Sequence, residues 1–306
     1  MKQKRSTISQ PSNIGSSETT REAPLNKNFF FDNYFKNFKP EHIKLNDSLF
    51  LQWFIGFVEG DGSFIVSNTR CFFVINQKDI QILYKIKKNL GFGQVLKYTQ
   101  NKQIYGRYIV QDQKNCKRIA HIFNGNLLLI KTNKRFKIWI KQLNIQPLNT
   151  KGYISLNNGW LSGFIDAEGC FYARIRKCKN MKLGYKVELK FIINQKEELG
   201  LFYYLKNIFY SNANIQQIIF VSEKNQNYSI YYKIELSSFL SNKILLNYLK
   251  NFSCKGNKNL NINIYRRLYG YIERKEHLTI IGLKKIKVLC KQLKKYNKGE
   301  DIVHRK

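Results

Sequence analysis

Acidic residues are scarce in this chain: 20 Asp and Glu stand against 53 Lys and Arg, a formal net charge of +33 at pH 7. A field of that sign attracts polyanions, nucleic acid first among them. Long apolar runs are also missing. No stretch approaches the roughly 18 residues a membrane-spanning helix needs, so a membrane is set aside as partner. Cysteine occurs at 71, 116, 170, 178, 254 and 290, never as C-x-x-C and never with His at zinc-ligand spacing. These thiols are expected to be reduced and mostly buried. The four histidines, at 42, 121, 277 and 304, form no His-based hydrolytic motif. Catalysis, where present, should then rest on carboxylates and metal. Pro (4) and Met (2) are rare, while Lys, Asn, Ile, Phe and Tyr abound. That bias fits an A+T-rich coding sequence and points to an organellar gene, a mitochondrion ahead of a chloroplast.

What is there is a repeat. Trp53-Phe-Ile-Gly-Phe-Val-Glu-Gly-Asp-Gly-Ser-Phe64 returns 107 residues later as Trp160-Leu-Ser-Gly-Phe-Ile-Asp-Ala-Glu-Gly-Cys-Phe171. An internal repeat governs the architecture and is read first. Each copy begins as an apolar helix with small residues four apart: Gly56 and Gly60, then Gly163 and Ala167. Four residues is about one helical turn, so each pair lies on one face. Such a face admits another helix to backbone contact, and the other copy is the natural partner. Gly56, Gly60, Gly163 and Ala167 are therefore the expected helix interface.

Asp61 follows Gly60, and Glu168 follows Ala167; Gly62 and Gly169 come next, suited to the position just past a helix end. Alternating strand-like residues follow. Each acid is thus expected where a helix gives way to a strand, with the two acids emerging together on the axis. Carboxylates forced close repel unless a cation intervenes. Hard oxygen ligands suit Mg²⁺ or Mn²⁺. Such a pair, holding divalent ions against phosphate, is the arrangement of two-metal phosphodiester hydrolysis. Glu59 and Asp166, two positions earlier, read as structural residues.

The two stretches resemble the LAGLIDADG motif of homing endonucleases in their two-motif, single-chain form, with Phe54–Gly62 and Leu161–Gly169 as the nine-letter copies. The resemblance implies an α+β fold: two pseudo-symmetric αββαββα-type halves with antiparallel DNA-binding sheets, packed through two central motif helices. It implies Asp61 and Glu168 as catalytic metal ligands, with Gly60 and Ala167 beside them in the metal site. Mg²⁺ is the implied cofactor, and Mn²⁺ or Ca²⁺ can take its place in binding. Ile75-Asn-Gln-Lys-Asp79 matches Ile193-Asn-Gln-Lys-Glu197, and by resemblance Gln77 and Gln195 support the metal-bound water or phosphate. Lys131 and Lys258 are the matching active-site lysines, with Lys134 the alternative to the first. The implied activity is site-specific double-strand DNA cleavage leaving 3′ overhangs by an intron-encoded monomer. Two rivals share the fold: an RNA maturase that binds its host intron RNA, and a DNA-binding protein without catalysis.

Along the chain, residues 1–45 are expected to be an N-terminal extension, disordered to about residue 28. The first half covers 46–146, a linker 147–158, the second half 159–269, and a C-terminal helix with a basic tail 270–306. The 118 residues between Gln77 and Gln195 exceed the motif spacing by 11, so the second half carries a longer first hairpin. Strands fit the major groove and aim alternate side chains into it. Arg70, Lys97, Arg107, Arg174, Arg176, Lys186, Lys190 and Lys233 are the candidate DNA-binding residues. Two unlike halves imply a long, asymmetric double-stranded DNA site.

Overall fold

The computed structural model describes residues 2–8, 29–38, 48–221 and 228–298. Lys2–Ile8 is a strand, β1, where disorder was expected. The segment carries no Gly or Pro and ends in Thr and Ile, residues that tolerate an extended backbone. The rest of the extension contributes α1 (Asp32–Asn37). Phe29, Phe31 and Tyr34 are buried there. Asn126, itself fully buried, holds this segment by accepting from the Phe30 N–H and donating to the Phe30 carbonyl.

The chain divides into two compact units, residues 3–167 and 168–306. The first unit contains the helix α2 (Ser48–Asp61), then β2 (Gly62–Ser67), β3 (Arg70–Gln77), α3 (Ile80–Leu90), β4 (Gln94–Gln100), β5 (Gln103–Val110), α4 (Gln113–Phe123) and α5 (Ile130–Gln142). Its antiparallel sheet runs β2-β3-β5-β4. Asn68 supplies the positive φ of the first hairpin turn; Asn101 and Lys102 both adopt it in the second. Two such residues in a row make the tight turn whose twist suits a hairpin. The connection between β4 and β5 is therefore only two residues long.

One face of that sheet is packed with aromatic rings. Phe64 lies with its centroid 5.0–5.4 Å from those of Phe73, Phe123, Phe136 and Trp139. Rings offset or edge-on at such distances add to burial. Cys71 and Cys116 are buried beneath them as small apolar residues, the Cys116 thiol pushed up to about 12 by burial and by Cys71 and Asp112. Cys254 is also buried, Cys178 and Cys290 are half-buried, and Cys170 is exposed, so half of the thiols are not in the core. Residues 147–158 are tied down: Leu148 N–H donates to Asn124 Oδ1, and Thr150 Oγ1 donates to the Leu127 carbonyl.

The helix α6 (Trp160–Glu168) leads into the second unit, which repeats the order: β6 (Cys170–Lys177), β7 (Tyr185–Lys196), α7 (Leu199–Ile208), β8 (Ile215–Val221), β9 (Tyr228–Leu236), α8 (Phe239–Asn251) and α9 (Lys258–Glu273). Strand order β6-β7-β9-β8 matches that of the first unit. The 11 extra residues lie in the first hairpin. A turn at 68–69 becomes the segment 178–184, and both flanking strands lengthen. The expected single tail helix from Gly270 is instead two. α9 ends at Glu273, Lys275 takes φ 59, and a 3₁₀ turn leads to α10 (Ile280–Lys298). Thr279 caps α10 by accepting from the Gly282 N–H. The apolar stripe of α10 is narrow. Ile286, Leu289 and Leu293 are buried, whereas Ile281 is exposed. Asn297 pins the far end of α10, donating to the Phe171 carbonyl and accepting from Asn261. No described helix is long and apolar enough to cross a membrane.

Gly93 tests the packing of the first sheet. It adopts φ +83, and a Cβ there would press into the ring of Tyr108, a fully buried residue whose hydroxyl donates to the Phe92 carbonyl. Gly93→Ala combines a left-handed backbone with overpacking and is expected to destabilise the protein by about 2–4 kcal/mol. Thermal melting reads this as a drop of several degrees; an unchanged melting temperature would refute the contact.

Candidate active site and nucleic-acid interface

The first unit contains both α2 and the α6 residues 160–167, and the two helices meet at glycine. A Cβ on Gly56 would collide with the Trp160 carbonyl, and one on Gly163 with the Trp53 carbonyl. Each helix thus presses its glycine on the backbone of the other. The tryptophans complete a reciprocal pattern. Trp53 Nε1 donates to Asp166 Oδ2 at 2.9 Å, and Trp160 Nε1 donates to Glu59 Oε2 at 2.5 Å. Glu59 Oε1 also accepts from the backbone N–H groups of Leu128 and Leu129, at 2.7 and 2.6 Å. Glu59 and Asp166 are 3% and 8% exposed. These acids are spent on holding helices and the start of α5.

Asp61 and Glu168 stand at different places from that pair. Each is the last residue of its motif helix, partly exposed, and each is followed at once by the first hairpin of its half. The β2–β3 register, with Gly62 opposite Ile75, returns the end of β3 to the end of α2. Gln77 Nε2 there donates to Asp61 Oδ2 at 2.5 Å. Gln195 occupies the matching place at the end of β7, but its Oε1 accepts from the backbone N–H of Lys196. Lys131 lies half-buried in the first turn of α5, a turn tied to α2 through Glu59 and through Thr132 Oγ1, which donates to the Glu59 carbonyl. Lys134 is exposed one turn further on. Lys258 opens α9, half-buried. The Cys170 thiol, two residues after Glu168, is raised by desolvation, and the charges of Lys258 and Lys233 oppose that rise.

Among the described residues, no three or more His, Cys, Asp or Glu side chains cluster as a metal site. Carboxylates one per motif helix are the donor set that hard cations accept when water and phosphate oxygens complete the shell.

The two sheets turn different chemistry outward. In the first, Arg107 lies opposite Asn76, and its Nε donates to Asn76 Oδ1 at 2.9 Å. Its guanidinium is 5.2 Å from the centroid of Tyr98, which stacks on Tyr105. Arg70 shares that face and lies against Phe72. Lys97 does not share it. Lys97 pairs with Gly106, where an added Cβ would meet Leu83 and Ile80 of α3. Lys97 therefore lies on the helix-covered side of the sheet: a strand alternates strictly, so one position decides the face.

In the second sheet, Arg174, Arg176, Lys186, Lys190 and Lys233 all lie on the face away from the helices. Two acids not anticipated in the sequence sit among them. Glu188 accepts from Arg174 Nε at 2.8 Å and from Arg176 Nε at 2.5 Å, one arginine per oxygen. Glu235 is bracketed by Lys190 and Lys233 at 2.6 and 2.5 Å. Partial burial pushes both carboxyls up, but hydrogen bonds and charge from their cations outweigh it, and both end below the usual carboxylate range. The attraction is therefore complete above that range and is lost only as pH falls through the lowered values. Asn76 was likewise unforeseen. Register was the available signal: Glu188 is two residues from both Lys186 and Lys190.

A duplicated helix–hairpin module, with an acid closing each motif helix and a cation-bearing sheet in each half, defines a two-repeat α+β protein. Residues 54–143 and 161–269 match the LAGLIDADG endonuclease family. The chain belongs to that family. It is 40% identical over 179 residues to Probable intron-encoded endonuclease 4 of Neurospora crassa, covering 55% of this chain and 32% of that protein. It is 30% identical over 286 residues to the cox1 intron-2 37.2 kDa protein of Schizosaccharomyces pombe, covering 90% of this chain and 80% of that one. The fold resembles that of the LAGLIDADG meganuclease I-AabMI bound to uncleaved DNA, with a TM-score of 0.63 and 23% identity, over 79% of this chain and 98% of that one.

The different duties of neighbouring acids can be separated by stability. Glu59→Ala leaves the Trp160 indole and two backbone N–H groups without their acceptor, and is expected to cost roughly 3–5 kcal/mol. Asp61→Asn keeps an oxygen for Gln77 and is expected to stay within about 1 kcal/mol of wild type. Denaturant unfolding of the two variants checks this. Equal losses would mean that Glu59 is not the structural acid.

Proposed function

We propose that the chain is an intron-encoded, site-specific DNA endonuclease that hydrolyses a phosphodiester in each strand of a long, asymmetric duplex site, as a monomer. The observation that carries this reading is the family match over both repeats together with an acid closing each motif helix. Asp61 and Glu168 are the residues that would hold divalent metal, Mg²⁺ in the first place, with Gly60 and Ala167 beside them. When held there, such an ion would polarise the phosphate and lower the pKa of a bound water. The protein's own groups do the positioning. Gln77 fixes the Asp61 carboxylate through its amide, and Gln195 stands at the matching strand end. Lys131 and Lys258, each in the first turn of a helix, offer ammonium groups to the charge that builds on the phosphate being cut. The outer faces of the two sheets lie in the major groove, and the product carries 3′ overhangs. A mitochondrial gene is the proposed home, in keeping with the A+T-type residue bias and with a relative that takes its name from a cox1 intron.

Cleavage of an intronless host-gene duplex with Mg²⁺ tests the reading, with Asp61→Asn and Glu168→Gln beside wild type. Wild type is expected to cut at one place. Both variants are expected to bind that place while cutting at least about a hundredfold more slowly. A wild-type protein that binds but does not cut, with Mn²⁺ as well as Mg²⁺, would end the catalytic claim.

A further inference from the structure

Glu188 stands where an acid works against binding. It lies on the outward face of the second sheet, among Arg174, Arg176, Lys186 and Lys190, in a chain whose partner is proposed to be a polyanion. Ion pairs with exposed cations contribute little to stability, and the side chains of Arg174 and Arg176 are 49% and 44% exposed. Stability therefore does not account for the acid. Geometry does. Both arginines give Glu188 the same atom, Nε. A guanidinium has five N–H donors in a rigid fork, and anchoring at Nε leaves the two terminal nitrogens as the outward edge. That edge is the one that meets guanine O6 and N7 side by side. Arg107 repeats the arrangement on the first sheet, its Nε held by Asn76, where a neutral amide takes the place of the carboxylate.

We propose that Glu188 is a positioning residue for target recognition, holding Arg174 and Arg176 so that each presents its terminal nitrogens to a guanine of the target. This rests on the DNA-reading role proposed above for the sheet. Arg174 and Arg176 are two residues apart on one strand, about 7 Å. Base pairs rise about 3.4 Å, so the two guanines are expected about two steps apart. The carboxylate lowers overall attraction to phosphate and raises discrimination between bases. Loose arginines would do the reverse.

The test needs no cleavage. A target is first selected by wild-type protein from randomised duplexes in Ca²⁺. Wild type, Glu188→Ala and Glu188→Gln are then titrated against that target, against every single-base variant of it, and against random duplex at two salt concentrations. Glu188→Ala is expected to bind random duplex a few-fold more tightly, with a salt slope steeper by about one unit. It is also expected to lose roughly tenfold discrimination at two positions near each other. Glu188→Gln removes the same charge but keeps an acceptor for an Nε, and is expected to retain more of the discrimination. That difference separates orientation from charge, and thermal melting of both variants close to wild type excludes misfolding. A base-preference profile unchanged in Glu188→Ala overturns the proposal, and so does one weakened evenly at every position. If wild type selects no sequence at all, the DNA-reading role falls and takes the proposal with it.

Discussion

The contact on which the rest depends is the approach of two backbones at Gly56 and Gly163. Neither position has room for a methyl group, because each faces a tryptophan carbonyl of the other helix, Trp160 for Gly56 and Trp53 for Gly163. A contact this close fixes the two helices in register as well as in distance. Sliding either by a residue would drive a side chain into the other backbone, and packed interiors do not absorb such a shift. The tryptophans then reach across to Asp166 and Glu59, so the same register is set twice: once by steric exclusion and once by hydrogen bonds to buried carboxylates. Buried charge is costly unless its oxygens are satisfied. Glu59 meets that condition with an indole and two backbone N–H groups, and through the latter it also places the start of α5.

Two residues along a helix is more than half a turn, and this small offset divides the acids into two kinds. Glu59 points into the packed interface, whereas Asp61 ends the helix and meets Gln77 at the tip of the returning strand. The hairpin makes that meeting unavoidable. β2 starts immediately after Asp61, β3 runs back antiparallel, and a strand of this length returns its end to the helix it left. In the second half β7 runs one residue further, to Lys196, and Gln195 bonds to the backbone there. The two halves are thus alike in topology and unlike in the hydrogen bonding of this glutamine.

Much of this was legible in the sequence because the signals were local and repeated. The twelve-residue duplication carries the glycine contact at Gly56 and Gly163 and both terminal acids, and the second small repeat pairs Gln77 with Gln195. What escaped depended on non-local or one-residue detail. Lys97 is basic and on a strand, and those local features make it a candidate for the DNA-facing side. Its face is decided by pairing with Gly106, a partner that no local pattern reveals. The tail's nearly continuous apolar spacing predicts one helix, while the break is made by Lys275 in a left-handed conformation that Lys rarely takes. Glu188, Glu235 and Asn76 carry no sign of their role in the sequence, because what ties each to its cations is cross-strand register.

On the reading proposed above, the two outward sheet faces bear on how a chain of charge +33 would select one sequence. Lysines and arginines left free would bind any duplex through its phosphates, and counterion release would make that binding strong and undiscriminating. Several of the basic side chains on these faces are not free. Arg107 is held between an amide and a tyrosine ring, Arg174 and Arg176 share one carboxylate, and Lys190 and Lys233 share another. A side chain already held in one geometry has less entropy to lose when it meets a base, and it is less able to swing to the nearest phosphate. The cost is paid in attraction: two carboxylates on the second face cancel two of its positive charges. The first face avoids even that by using a neutral amide and aromatic rings. Both solutions restrain cations rather than add them, which is the physical requirement for turning a polyanion-binding surface into one that distinguishes sequences.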